Sequence, residues 1–179
     1  NNGAKPDGPP LNGRQGPPSP VRWTPLRSGH LPTRPVGSRR QRLLFVSHNG
    51  GPGGAQQVLL ELVKQFYRLG TVECYVLFCG GGTLIHEFQP YARTFTIQPL
   101  IQRGLSFQEA VEAVLQSFHY SRPKLAICNT VAMGEVAAIC DRHNIPVLSL
   151  IHELPTSIES YIGRHNWMHM VRASRQMVV

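Results

Sequence analysis

No apolar run in these 179 residues approaches the ~20 needed to cross a bilayer as a helix, so the sequence offers no membrane-spanning segment. Cysteine is sparse and poorly spaced for metal. The four thiols (Cys74, Cys79, Cys128 and Cys140) form no C-x-x-C pair and lie in or beside apolar runs. That argues against structural zinc or a dithiol redox centre, and for buried free thiols of a reducing, cytoplasmic compartment. His30, His86, His119, His143, His165 and His169 share no ligand spacing, so no metal site is expected. Acidic side chains are scarce too, ten against eighteen Lys and Arg, for a formal charge of +8.

A basic excess of this size suggests nucleic acid or an anionic membrane until its position is noted. Lys5, Arg14, Arg22, Arg27, Arg34, Arg39, Arg40 and Arg42 precede residue 43, opposed there by Asp7 alone. The rest of the chain is close to neutral, and no nucleic-acid partner is expected for it. The basic leader also carries Pro6, Pro9, Pro10, Pro17, Pro18, Pro20, Pro25, Pro32 and Pro35 and few large apolar residues. Such a composition buries too little surface to offset its ordering entropy, so residues 1–40 read as a disordered Pro/Arg-rich leader. A linker or processed end explains it better than an electrostatic tether, since its arginines are dispersed. It lacks the apolar core of a signal peptide, and a start at Asn1 rather than Met leads us to expect a fragment.

From residue 41 to 179 strand and helix patterns alternate. RLLFVS (42–47), VECYVLFC (72–79), ARTFTI (92–97), LAICN (125–129), PVLSLI (146–151) and QMVV (176–179) are short runs suited to strands, the continuous apolar ones to strands covered on both faces. Between the first two, Val58, Leu59, Leu62, Val63, Phe66 and Leu69 recur at helical spacing before Gly70, which predicts a helix and its stop. A short helix is expected over 83–88, and another over 106–123, where Ser106 and Glu109 have capping-box spacing. Further helices are expected over 131–144 and within 155–174. In the last of these Arg164, His165 and His169 share a stretch with Tyr161, Ile162, Trp167, Met168 and Val171, read first as a packed helix. Its alternatives are a surface for lipid or for a partner domain. No internal repeat is present. The alternation predicts an open, Rossmann-like α/β parallel sheet with helices on both faces and right-handed crossovers.

Ligands in such sheets bind beyond the carboxyl ends of the strands. Polar and glycine residues gather there: 47–54, 80–82, Asn129 with Thr130, and His152 with Glu153. The stretch SHNGGPGGAQQVLLELV (47–63) places four glycines between a buried strand and a helix, where backbone freedom is costly to surrender. Two familiar explanations fail. The dinucleotide register G-x-G-x-x-G breaks at Gln56, and the second strand ends in Phe78, Cys79 and Gly80 with no acid for a ribose. No Gly-Lys-Ser/Thr follows, which removes the P-loop. A cradle in which Gly53 and Gly54 bring backbone N–H groups near an anionic or sugar ligand remains, against a mobile turn that holds nothing.

SHNGGPGGAQQVLLELVKQF (47–66) resembles the first strand–helix unit of family 4 glycosyltransferases, retaining enzymes of the GT-B fold. LAICNTVAMGEVAAICDRHNIPVLSLIHELPTSI (125–158) is similar to a second segment of that family, with its "IP" strand start and "IHE" end. The resemblance covers roughly residues 42–179 and implies the N-terminal, acceptor-side half of a GT-B enzyme, with the C-terminal donor-binding domain absent. It implies a metal-independent, hexosyltransferase-like activity with a nucleotide sugar as co-substrate, no resident cofactor, and a glycan, lipid or small-molecule acceptor. Peripheral membrane contact stays open. By the same resemblance His152 is the catalytic candidate, a hydrogen-bond donor beside the transferred sugar. Gly53, Gly54, His48, Asn49, Asn129, Thr130 and Glu153 are the substrate-binding candidates. From the residues alone, Glu153 is equally a cap for the segment around 155–158, and Asn129 and Thr130 equally serve loop backbone. By itself such a half is expected to be inactive. The rival readings are a non-catalytic Rossmann-like binding module that lost the transferase and a Rossmann-type enzyme for another nucleotide.

Overall fold

The computed structural model describes residues 40–118, 122–153, 156, 158 and 163–179. Except for Arg40, the expected leader lies outside the described residues, as does part of the segment 155–174. Six strands form one sheet: β1 (Gln41–Ser47), β2 (Val72–Phe78), β3 (Arg93–Thr96), β4 (Leu125–Asn129), β5 (Val147–Leu150) and β6 (Ser174–Val178). Their order is β3-β2-β1-β4-β5-β6, and every neighbouring pair is parallel. The direction of winding reverses at β1. A crevice therefore opens between the loops after β1 and β4, the place where open α/β sheets bind ligands.

Alternation along β1 divides the core between two faces. Leu43 and Phe45 pack with Leu59, Leu60 and Val63 of α1 (Gly54–Leu69) and Phe88 of α2 (Ile85–Phe88). Leu44 and Val46 belong to the other face, with α3 (Gln98–Ile101), α4 (Phe107–Gln116), α5 (Gly134–Arg142) and α6 (Gly163–Ala173) supplying Leu100, Val111, Val114, Val136, Ile139 and Met170. The sheet is thus covered on both sides, as its continuous apolar strands require.

Local chemistry sets the helix ends. Gly70 adopts a left-handed φ of 69° and donates its N–H to the carbonyls of Phe66 and Tyr67, closing α1. Ser106 and Glu109 form the expected capping box at α4. Asn144, at φ 55°, turns the chain out of α5 towards β5. The cap residue of α5, Met133, supplies no side-chain bond, and Asn166 of α6 supplies one instead: its Oδ1 accepts the Glu135 backbone N–H at 3.2 Å. α6 buries Met170 and Ala173 and packs Trp167 against the core, leaving Met168 and Val171 exposed.

Several ends shift by one or two residues, and three elements differ more from the sequence pattern. α4 ends at Gln116 rather than running to 123. The helix expected over 131–144 is a 3-10 turn (Val131–Met133) followed by α5, because Thr130 leaves β4 with a φ of 84° and the chain needs a tight turn to enter the helix. α3 was not anticipated, since four residues with Pro99 in the first turn carry no readable period. Among the described residues no helix is long and apolar enough to cross a membrane. All four cysteines are free, and burial pushes the thiols of Cys74, Cys79 and Cys140 up to about 12 and raises that of Cys128 as well. They are packing groups, not nucleophiles.

Candidate functional site

The glycines around the crevice fall into two sets. Gly50 donates its N–H to the Gly81 carbonyl at 3.0 Å and accepts from the Leu84 N–H at 2.9 Å, which binds the loop after β1 to the loop after β2. A β-carbon on Gly82, whose φ is 153°, would overlap the backbone of Gly50 and Gly51; one on Gly50 would run into the Ile85 side chain. One on Gly80 would press on the Asn49 β-carbon and the His48 carbonyl, both at 3.0 Å. These three glycines let two loops touch. Gly53 and Gly54 are different. Gly53 has an ordinary φ of −83°, though a β-carbon on it would press on the Gln56 Oε1 at 2.5 Å, whereas one on Gly54 would meet nothing within 4 Å. Both are exposed at the start of α1, whose cap position makes no side-chain bond.

The side chains of that first loop are largely committed to it. Asn49 Oδ1 accepts the Gly51 N–H at 2.9 Å and Gln56 Nε2 at 2.9 Å, while the Ser47 hydroxyl donates to the Asn49 carbonyl at 2.8 Å. Gln56 Nε2 also lies 3.4 Å from His48 Nδ1 and 3.2 Å from Nε2. A nitrogen almost equidistant from both ring nitrogens points along neither lone pair well, so its directional bond is the one to Asn49. Gln56 is a site residue that motif reading passed over. It sits in the buried stripe Gln56, Leu59, Leu60 and Val63 of α1, and a polar residue in an apolar stripe was the available signal.

Burial holds the His48 imidazole below its ordinary 6.5, and the negative charge of Glu153 opposes the shift. The unfolded chain therefore takes up this proton at higher pH than the folded one. Stability from His48 is complete above about pH 6.5 and is lost as pH falls through the lower folded value. We expect the melting temperature to drop between pH 7 and pH 5 and the drop to be smaller in His48→Gln. Equal slopes in the two proteins would refute this.

The ends of β4 and β5 complete the crevice. Asn129 is fully buried; its Nδ2 donates to the Ala55 carbonyl in the first turn of α1 at 2.9 Å, and its Oδ1 lies 2.8 Å from His152 Nε2. One side chain thus joins β4, β5 and α1. His152 itself is exposed. Glu153 turns its carboxylate back to accept the N–H of Val131, at 3.2 and 3.3 Å, and the N–H of His152 at 3.1 Å. It therefore closes the start of the 3-10 turn; most of the segment around 155–158 lies outside the described residues. Thr130 donates its N–H to the Leu150 carbonyl at 2.9 Å; its Oγ1 is buried and has no hydrogen-bond partner among the described residues. A threonine at φ 84° and ψ 150° occupies a region kept almost wholly for glycine, and such strain collects at functional sites. The eight residues singled out from sequence therefore all line this edge. Beside them His152 borders a groove of about 490 Å³ walled by Val58, Leu62, Leu150 and Val178.

No family model and no curated protein matches this chain. Among solved structures it is similar to Alr3699/HepE of Anabaena in complex with UDP and glucose, at 22% identity and a TM-score of 0.58, over 77% of this chain and 38% of that one. The chain thus spans well under half the length of HepE. Weaker likenesses are to AnUbiX (PadA1) in complex with FMN and dimethylallyl pyrophosphate (12% identity, TM-score 0.46, 78% of this chain and 77% of that) and to the FMN-dependent cysteine decarboxylase TvaF from thioviridamide biosynthesis (11%, 0.45, 79% and 90%). What the likeness to HepE shows is the fold, a Rossmann-like α/β sheet with its loop-built crevice at the carboxyl edge.

Proposed function

We propose that this chain is the acceptor-side, N-terminal domain of a retaining family 4 glycosyltransferase of the GT-B fold, passing a hexose from a nucleotide sugar to an acceptor hydroxyl. One observation carries the reading: Gly54 is required neither by backbone dihedral nor by packing, yet it opens α1 beside a histidine tied to the same turn through Asn129. At Gly54, the first residue of the helix, glycine costs up to roughly 0.5–1 kcal/mol against alanine, which a need for close approach explains. The UDP and glucose in the HepE complex are ligands of the matching kind.

In this reading the N–H groups of the first turn of α1 receive the diphosphate, whose charge grows as the sugar bond breaks. His152 stands at the cation-like sugar, where oriented hydroxyls matter. Donor binding belongs mainly to a second Rossmann-like domain. Transfer is therefore expected of the two domains joined and not of these 179 residues alone.

Amide chemical-shift mapping with UDP-glucose tests the site on the chain itself. Shifts should centre on His48, Gly53, Gly54, Ala55 and His152. Gly54→Val should weaken them about tenfold or more, the loss of one or two charge-assisted hydrogen bonds, while the fold is kept. Shifts confined elsewhere, or unaltered in Gly54→Val, would remove the cradle.

A further inference from the structure

The bonds of Asn129 fix more than position. The Ala55 carbonyl is an acceptor only, so the atom of Asn129 facing it at 2.9 Å must be the amide nitrogen. The opposite atom is then the amide oxygen, also only an acceptor, and the His152 Nε2 that lies 2.8 Å from it must carry a proton. Flipping the amide would set two oxygens against each other at Ala55. In the neutral ring Nδ1 then holds the lone pair, and no described residue pairs with it although the side chain is exposed.

We propose that Asn129 is a positioning residue that clamps His152 through Nε2–H and so presents Nδ1 as an acceptor, selecting a ligand hydroxyl over an oxyanion at this point of the crevice. The donor role expected of His152 is thereby taken up inside the protein. Asn129 touches no ligand in this arrangement. Being completely buried, it acts through the histidine and through the first turn of α1. The clamp stands on geometry alone, whereas the ligand class rests on the reading of the crevice as a sugar site.

Nitrogen NMR of the neutral His152 ring in the intact chain tests both halves, with glucose and inorganic phosphate as probes. The clamp requires a slowly exchanging proton on Nε2 and none on Nδ1. A proton on Nδ1, or an Nε2 proton exchanging as fast as in free imidazole, overturns it without any mutation. Glucose should shift the Nδ1 resonance and phosphate should not; an equal response to phosphate overturns the hydroxyl preference. In Asn129→Leu the protection should vanish and glucose binding weaken roughly five- to tenfold, one neutral hydrogen bond. Asn129→Asp, which still accepts from Nε2 but opposes the Ala55 carbonyl, should keep Nε2 protonated even if it is less stable. If Nε2–H is protected and neither probe moves any crevice residue, the clamp stands and the ligand half fails, while the proposed function is decided separately by the UDP-glucose mapping.

Discussion

Gly82→Ala should lower unfolding free energy by about 3 kcal/mol or more, combining backbone strain of about 1–3 kcal/mol with overpacking of similar size. The residue holds φ 153°, and its β-carbon would fall on the backbone of Gly50 and Gly51, which no side-chain rotation relieves. To admit it, the loops after β1 and β2 must separate and break the Gly50–Gly81 and Leu84–Gly50 bonds. Gly54→Ala is the control. There a β-carbon meets nothing, and alanine at the helix start should leave stability within about 1 kcal/mol or raise it. Urea unfolding of both variants measures the contrast. A Gly82→Ala midpoint equal to the parent's would show that the loops do not press on each other.

Gly134→Val should cost about 2–4 kcal/mol by a different route. Its backbone conformation suits any residue, at φ −56°, but a β-carbon would overlap the Asn166 backbone of α6. α6 must then move off α5. The displacement strains the packing by about 1–3 kcal/mol and removes the Asn166 bond to the Glu135 N–H, a cap of about 1 kcal/mol. Trp167, packed against the core on the same helix, reports the move as a change in fluorescence before unfolding. Asn166→Ala isolates the cap and should cost about 1 kcal/mol with the fluorescence unchanged. If the two variants are equally stable, the close helix contact contributes nothing.

The sheet was legible because its strands are covered on both faces. LAICN is β4 residue for residue, since an apolar run with no polar alternation has few other uses in a chain of this length. Elements governed by one residue's dihedral were not legible. Nothing in the letters around Thr130 announces a positive φ, so the 3-10 turn merged with α5 in the pattern. The site divides in the same way. Its members were visible because the polar residues of such sheets collect at the carboxyl edge, but their partners were not. That Gly82 opposes Gly50, or that Asn129 reaches Ala55, depends on contacts between distant loops that no spacing encodes. In the sequence Gln56 is legible only as the residue that breaks the dinucleotide motif. Its amide in fact holds Asn49.

The sheet order has a consequence for how the chain reaches its native state. β1 pairs with β2 through a short crossover, but it pairs with β4 only after two strand–helix units have been laid down, as Leu43 beside Leu125 requires. Pairings so distant in sequence must meet loop-closure entropy before any contact rewards it, so they slow folding. The junction of β1 with β4 is therefore the expected rate-limiting event, with β1–β3 and α1 formed before it. The crevice straddles that seam, since Asn129 must arrive before it can reach Ala55 or hold His152. A chain arrested just short of this step would keep most of its secondary structure and have no site at all.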